Sequence, residues 1–461
     1  KKEERMNKNI ETFINTIKIN DDICIANASI HQLEYTIIYM VELVDIKKFD
    51  LQIKPLITKE SFNHLSDLFG GLCKNISDIS TTNLEFLLYS GKILVFFDSY
   101  FYSFEFSNKP KRSISTSKID PEDPMASQDG LIEDLNVNLT LIKRRLKTSD
   151  LRVNKYQLGL ISKTECAILY LQSSYDKYSL ELVLSKLRTM KNEIVTSIED
   201  INILYDNNSL LPQIFNTSSP EIIVDSLVNG RIVILLDNTQ VATILPANLS
   251  TFTVSKSYVN TPRFFSIFNH ILISLFFFLS LFMMGLFIAI INFHPSCLSI
   301  PLLANMKITE RGTNWPMFFE VLIVYLLFEF YRFATSRSTS NYIQNIIIIL
   351  GGLFIGQNAI ESGTIGAIVL FMTSISYIAV FAVTSNVYLI TSINILRLFI
   401  LIMSYAMGIL GFLLSSIITI FYLYKQHNNS NYYLYPFIPF NKKDFLKFFA
   451  PSKTKETKVT K

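Results

Sequence analysis

A few ionisable residues stand inside an otherwise apolar stretch of the chain. Glu320 and Glu329 fall in the run "WPMFFEVLIVYLLFEFYRFA", and Arg332 follows Glu329 by three positions. Helical residues three apart share a face, so Glu329 and Arg332 are placed to form an ion pair. Charged groups inside a membrane usually face a water-filled path or a partner. Two interpretations stay open: a structural ion pair near the membrane surface, or a polar element of a pore or gate.

Two further polar residues follow in the segment "GGLFIGQNAIESGTI". Gln357 is placed either to line a polar path or to hydrogen-bond between helices, and Glu361 is expected in a loop or at a mouth. Together with Glu320, Glu329 and Arg332, these two residues are the candidates for a pore or gate.

Other kinds of chemistry find little support. Apolar residues make up 49% of the 461-residue chain and charged residues 17%, and the net charge of +4 does not indicate a nucleic-acid partner. The five histidines and four cysteines lack metal-ligand spacing, and the cysteines are expected to be reduced, buried thiols. "GLISKT" lacks the glycine that a phosphate loop has before its lysine. We therefore expect neither an enzyme nor a bound cofactor or metal.

The C-terminal half is apolar enough to form membrane helices. Only nine charged residues fall between Phe264 and Tyr424, and five apolar stretches lie at about 264–293, 315–334, 342–360, 364–396 and 397–424. A spanning helix needs about 20 residues, which all but the third stretch provide easily. Lysines crowd the C-terminal tail, so the tail and the N-terminal region are both expected in the cytoplasm. Two cytoplasmic ends require an even number of crossings, so either one stretch does not cross or a long one crosses twice.

The N-terminal half contains two sequence motifs that each occur twice. "GKILVFFDSY" at 91–100 returns as "GRIVILLDNT" at 230–239, and "TIIYMVELVDIKKFDL" at 36–51 is similar to "AILYLQSSYDKYSLEL" at 167–182. Each copy reads as a strand, a helical run, a strand that begins after glycine, a turn with aspartate and a return strand. The pattern predicts two related α/β or α+β subdomains in tandem.

A basic amphipathic helix is predicted at the start of the second copy, in "GLIEDLNVNLTLIKRRLKTSD". It is expected either to pack on its own subdomain or to contact another subunit. The candidates for a subunit or subdomain contact are the cations of this helix and the cation and acid of the repeated hairpin: Lys143, Arg144, Arg145, Arg231 and Asp237. The predicted organisation is a first α/β subdomain at 1–106, a linker at 107–128, a second subdomain with its leading basic helix at 129–260, a transmembrane helical domain at 261–426 and a basic cytoplasmic tail at 427–461.

Six segments in order together resemble the A subunit of the GerA-type spore germinant receptors. They are "NLTLIKRRLKTSDLRV", "SKTECAILYL", "GRIVILLDNTQVATILP", "FHPSCLSIPLL", "ERGTNWPMFFEVLIVYLLFEFYRFA" and "GGLFIGQNAIESGTI". The resemblance implies a protein of the spore inner membrane that works with a transporter-like B subunit and a lipoprotein C subunit. It also implies a homo-oligomer, expected to be a pentamer, that forms a nutrient-gated path for monovalent cations. A secondary transporter and a non-conducting membrane scaffold are the alternatives.

Overall fold

The structure is a computed structural model. It describes residues 13–14, 17, 20, 22–30, 33–53, 73–76, 79–97, 100–106, 129–202, 209–253, 263–298, 300, 316–336, 361, 365–428 and 431–434. Gln357 and the predicted stretch at 342–360 lie outside these residues. The chain divides into two compact units, Lys1–Asn208 with Gln213–Ala247, and Ser209–Pro212 with Asn248–Lys461.

The first unit contains two modules of the same topology. The first module is β1 (Ile23–Ile30), β2 (Leu33–Met40), α1 (Ile46–Gln52), β3 (Cys73–Asn75), α2 (Thr81–Tyr89), β4 (Ile93–Phe97) and β5 (Tyr100–Phe104). The second is α3 (Leu135–Arg145), β6 (Leu151–Leu158), β7 (Thr164–Leu171), α4 (Lys177–Thr189), α5 (Ile198–Asn202), β8 (Phe215–Thr217), α6 (Pro220–Val228), β9 (Ile232–Leu236) and β10 (Ala242–Leu245).

The two sheets have the same strand order. They run β1-β2-β4-β5-β3 and β6-β7-β9-β10-β8, and neighbouring strands are antiparallel throughout. The predicted duplication of an α+β module is therefore confirmed, including the hairpins β4-β5 and β9-β10.

The repeated Gly-cation pair has one structural cause in both copies. Gly91 and Gly230 follow α2 and α6 with φ of 79° and 80°, a region that glycine enters without a steric penalty. The N–H groups of each glycine and of the cation after it bond back to the last turn of the helix, which is a Schellman cap. The glycine turns the chain out of the helix and into the following strand.

The second module buries both faces of its sheet. Along β9, Val233 and Leu235 pack in a core with α3 and α6, whereas Ile232, Ile234 and Leu236 pack in a core with α4 and α5. Side chains alternate across a strand, so an uninterrupted apolar strand fits a sheet covered on both sides. This module is a three-layer sandwich of helices, sheet and helices.

The second unit is helical. It contains α7 (Leu249–Thr253), α8 (Arg263–Phe293), a 3-10 turn (Pro295–Cys297), α9 (Met317–Ser336), α10 (Ala367–Val383), α11 (Val387–Lys425) and the short strands β11 (His427–Asn428) and β12 (Asn431–Tyr432). Within the described residues, Ile267–Phe293 and Val387–Lys425 are long and apolar enough to cross a membrane, and Ala367–Val383 is a shorter apolar helix.

Helix α11 folds back on itself at Gly408. Gly408 has φ 62° and ψ −140°, which is not helical. Ser392 donates to the carbonyl of Leu210 at 2.5 Å, and the hydroxyl of Tyr422 accepts from the N–H of Leu210 at 3.0 Å. An unbroken helix would hold residues 392 and 422 about 45 Å apart. The two halves of α11 are therefore the legs of a helical hairpin.

These helix bounds correct two predicted stretches. The predicted stretch at 364–396 contains a break, because α10 ends at Val383 and Asn386 caps α11 by accepting from the N–H groups of Tyr388 and Leu389. The predicted start of the last stretch at 397 is wrong, because Arg397 lies inside the first leg of α11. The polar "TSN" at 384–386 marks the break in the sequence.

The contacts between helices show which helix ends lie together and which helices run in the same direction. Helix α8 runs alongside the first leg of α11 in the same direction, since Ser280 contacts Arg397 and Phe293 lies at Gly408. Helix α9 runs in the same direction as α10, since its start contacts Gly366 and its later turns contact Tyr377. A cavity of about 550 Å³ lies at the end where α8 finishes and α9 starts, lined by Asn292, Phe293, Pro316, Met317, Tyr405 and Ala406.

Candidate functional site

A polar cluster lies among the helices of the second unit, centred on Glu329 of α9. Arg332 donates to Oε2 of Glu329 from Nε at 3.0 Å and from Nη2 at 2.7 Å, so the i,i+3 ion pair expected from the spacing is present. The Oε1 atom accepts from the hydroxyl of Tyr377 at 3.2 Å and from the side-chain amide of Asn394. Three helices thus supply hydrogen bonds to one carboxylate.

Tyr377 of α10 connects this carboxylate to a second charged group. Its hydroxyl also lies 3.1 Å from the carbonyl of Tyr325, and its single proton is donated to either acceptor. The guanidinium carbon of Arg397 lies 4.6 Å from the centre of the Tyr377 ring, a cation–π distance. The tyrosine therefore bridges Glu329 and Arg397.

Arg397 is the largest fully buried side chain described. Its Nε donates to the carbonyl of Ser280 in α8 at 2.6 Å, and its Nη2 donates to the carbonyl of Ser376 in α10 at 3.0 Å. Within the described part of the chain, its Nη1 has no hydrogen-bond partner. From α11 the guanidinium thus contacts both α8 and α10, and its burial without a contacting carboxylate is costly.

Another pore or gating candidate, Glu320, has a separate partner. Glu320 is buried near the start of α9, where its Oε2 accepts from the N–H of Gly366 at 3.0 Å. Glu361 is exposed, and Gln357 lies outside the described residues. Glu329 and Arg332 are candidates that contact each other, and a role of any of the five in conduction stays a prediction.

The cluster is charged and surrounded by apolar side chains. It contains one carboxylate and two guanidinium groups, and its neighbours include Leu401, Val324 and Val369. Electrostatic interactions are stronger in such surroundings than in water. The side chains of Glu329 and Arg332 are 22% and 18% exposed, so the cluster extends from a fully buried arginine to a partly accessible ion pair.

A second ionic cluster joins the two modules of the first unit. Lys143 of α3 contacts Asp22 and lies 3.0 Å from Oε2 of Glu42, and all three side chains are at most 1% exposed. Lys155 reaches Oε1 of Glu42 at 2.8 Å, and Thr140 donates to the carbonyl of Glu42 at 2.9 Å. Two ammonium groups thus face two carboxylates across the boundary between the modules.

The electrostatics of Glu42 follow from these partners. Burial acts to raise the pKa of Glu42, but the ammonium groups of Lys143 and Lys155 outweigh it, so the pKa lies below its ordinary value. The cores of the two modules are separate, so the ionic cluster is a polar contact between independently packed bodies.

The remaining contact candidates lie apart from this cluster. Arg144 is exposed, and Arg145 pairs with Asp129 at 3.2 Å. Asp237 accepts from the N–H of Leu135 at 3.1 Å, which supports the first turn of α3. Arg231 is half-buried after α6, and burial lowers its pKa. A role of these residues between subunits stays a prediction.

The thiols are unsuited to nucleophilic chemistry where they are buried. Burial raises the pKa of Cys73 and of Cys166 to about 12, so neither forms a thiolate near neutral pH. Cys297 is exposed, contrary to the expectation that all four cysteines are buried. It is the last residue of the 3-10 turn that follows α8.

Several residues of these two clusters were not predicted from the sequence. Tyr377, Asn394 and Arg397 lie in apolar runs and were not among the predicted site residues, although an arginine within an apolar run was a signal. Asp22, Glu42 and Lys155 gave no signal, because their pairing depends on contacts between distant parts of the chain.

The fold and the two clusters define a class of two-part protein: duplicated α+β modules followed by apolar helices with a charged interior. The sequence matches the Bacillus/Clostridium GerA spore germination protein family over residues 11–460. The chain belongs to this family.

Two relatives and one solved structure are similar to this chain. The chain is 29% identical to spore germination protein XA of Bacillus anthracis, covering 87% of this chain and 84% of that protein. It is 25% identical to spore germination protein GerQA of Bacillus cereus, covering 94% and 87%. The crystal structure of the N-terminal domain of the A subunit of the Bacillus megaterium spore germinant receptor GerK3 aligns at 19% identity with a TM-score of 0.37, covering 52% of this chain and 94% of that one.

Proposed function

We propose that this chain is the A subunit of a nutrient germinant receptor, and that several copies form a membrane path for monovalent cations that opens in response to the nutrient. The observation that carries the proposal is the Glu329 carboxylate, held by Arg332, Tyr377 and Asn394 among apolar helices. Ionised groups inside a membrane are costly, and where they occur they usually mark an ion or substrate path.

The order of the helix ends supports a membrane-spanning arrangement with both chain ends on one side. The start of α8 and the two ends of α11 lie at one end of the helices, whereas Phe293 and Gly408 lie at the other. Helices α9 and α10 run in the same direction. The described helices then supply five crossings, counting both legs of α11, and two chain ends on one side require an even number, so we propose six in all.

The charge distribution supports a cytoplasmic location for both chain ends. Arg263 starts α8, Lys425 ends α11, and further lysines follow in the tail. On this basis the modules lie in the cytoplasm beneath the spore inner membrane. There they hold the helices of neighbouring copies in register, in a homo-oligomer that we propose to be a pentamer. A transporter-like B subunit and a lipoprotein C subunit complete the proposed receptor.

The test is potassium efflux from liposomes that contain the full-length chain with its partner subunits, measured before and after addition of nutrient. We expect efflux to rise with nutrient, and to be reduced in Glu329→Gln because the negative charge of the cluster is removed. Phe330→Ala is the matched control, since Phe330 is the next residue and is 71% exposed.

Three outcomes contradict the proposal. If the complete receptor shows no efflux with nutrient, the chain does not conduct ions, and the result favours a non-conducting membrane scaffold. Uptake of a labelled solute without potassium efflux indicates a secondary transporter. If efflux is equal in the wild type and in Glu329→Gln, the Glu329 cluster is not part of the ion path.

A further inference from the structure

Two buried polar atoms in α11 lack hydrogen-bond partners within the described residues. They are Nη1 of Arg397 and Oδ1 of Asn394. Arg397 is 0% exposed and Asn394 is 2% exposed, so bulk solvent does not reach either side chain. A buried polar atom without a partner costs about 1–3 kcal/mol, so each of them calls for an explanation.

The two side chains lie on one face of α11. Residues three apart on a helix lie side by side, with about 5–6 Å between their Cβ atoms. Both side chains also converge on Tyr377: the guanidinium of Arg397 lies over its ring, and the amide of Asn394 shares the Glu329 Oε1 atom with its hydroxyl. The side chains that carry the unpaired donor and the unpaired acceptor therefore share one face of α11 and both border Tyr377.

Their chemistry selects the ligand. Nη1 can only donate hydrogen bonds, and Oδ1 can only accept them. An anion would bind Nη1 but would be repelled by the carbonyl oxygen of Asn394, and a cation would be repelled by the guanidinium. A neutral molecule that both donates and accepts satisfies the two atoms together, and buried waters commonly bridge such groups.

The orientation of the Asn394 amide follows from its other contact. Its nitrogen donates to Oε1 of Glu329, a carboxylate that accepts hydrogen bonds. A reversed amide would place two oxygen atoms against each other, so the network itself assigns Oδ1 to the side away from Glu329.

We infer that a water molecule binds between Nη1 of Arg397 and Oδ1 of Asn394, as a built-in ligand of the helical unit. The water continues the polar chain that runs from Arg332 through Glu329 and Tyr377. The inference does not depend on whether the chain conducts ions, because it rests on unsatisfied hydrogen bonds.

The test is X-ray hydroxyl-radical labelling of the full-length protein in lipid, read by mass spectrometry, because radicals formed from a bound water oxidise the side chains beside it. We expect Tyr377 to be labelled several-fold faster than Tyr89, which is 2% exposed compared with 4% for Tyr377. Asn394→Leu should abolish this difference because it removes the acceptor, whereas Ile395→Leu on the same helix should preserve it.

The comparison of Tyr377 with Tyr89 in the wild-type protein tests for the bound water even if Asn394→Leu fails to fold. Asn394→Ser, which retains a hydroxyl donor and acceptor, gives a second variant and should keep Tyr377 labelled. Equal labelling of Tyr377 and Tyr89 in the wild type overturns the inference. Labelling that changes when chloride is replaced by gluconate also overturns it, because the site would then hold an anion.

Discussion

Lys143 of the second module and Glu42 of the first lie 3.0 Å apart, and their side chains are 1% and 0% exposed. The pair joins two bodies that have separate hydrophobic cores. Replacing one member of a buried ion pair leaves the other charge without compensation, which costs more than the pair contributes.

Lys143→Met should therefore loosen the contact between the modules. The change removes the ammonium group that contacts Asp22 and leaves Lys155 paired with Glu42, and we expect a loss of about 3–5 kcal/mol in the stability of this region. Hydrogen–deuterium exchange of β2 and α3 in the full-length protein measures the loss. Arg144→Met is the control, since Arg144 is the exposed neighbour. If β2 and α3 exchange at the same rate in both variants, the ionic cluster does not stabilise the contact between the modules.

The same cluster predicts a pH dependence. The pKa of Glu42 lies below its ordinary value of 4.5, although burial opposes the shift. A carboxyl group whose pKa is lower in the folded state contributes stability that is complete above its unfolded pKa and is lost as the pH falls through the folded pKa. The protection factor of β2, which is the intrinsic exchange rate at each pH divided by the observed rate, should therefore fall below about pH 4.5, and less steeply in Glu42→Gln. The control is Glu181→Gln, at an exposed position, and its pH profile should match that of the wild type. If the pH profile of Glu42→Gln is as steep as that of the wild type, this account is wrong.

Gly230→Ala should destabilise the second module. Gly230 has φ 80°, and an added Cβ would lie 2.4 Å from the carbonyl oxygen of Ser174. The left-handed conformation alone costs an alanine about 1–2 kcal/mol, and the clash adds to it. Faster hydrogen exchange of β9 is the expected result. Asn229→Ala, at the preceding position with φ −81°, should change exchange much less, and similar effects of the two variants would contradict the role of the glycine.

The sequence predicted what depends on neighbours along the chain. The Gly-cation repeat indicates a helix end followed by a strand, because only glycine enters the left-handed turn easily, and the Glu329–Arg332 pair follows from helical spacing. The partners of Lys143 and of Arg397 were not predictable, because they depend on how distant elements pack. The hairpin at Gly408 was missed because a glycine in an apolar run is also compatible with a continuous helix.

Gly408→Ala should open the hairpin of α11. An added Cβ would lie 2.7 Å from the Phe293 ring, and the backbone at φ 62° and ψ −140° suits glycine. In a background without native cysteines, Ser392→Cys and Tyr422→Cys should be joined by a short bifunctional maleimide in the parent protein. The yield should fall several-fold in Gly408→Ala. Met407→Ala, at the adjacent and exposed position, is the control, and an unchanged yield in Gly408→Ala would show that the turn does not need glycine.

Arg397→Met should be as stable as the wild type or more stable, although Arg397 is fully buried. The Arg397 guanidinium donates to carbonyl groups of Ser280 and Ser376, which lie within helices, and Nη1 remains without a protein partner among the described residues. Removing such a charge recovers its desolvation penalty, whereas Arg332→Met takes the ionic partner from Glu329 and should destabilise. Thermal unfolding of the full-length protein in detergent compares the two variants. If Arg397→Met unfolds at a lower temperature than Arg332→Met, the guanidinium serves mainly to hold the helices together; the expected order instead indicates that this buried charge is kept for function.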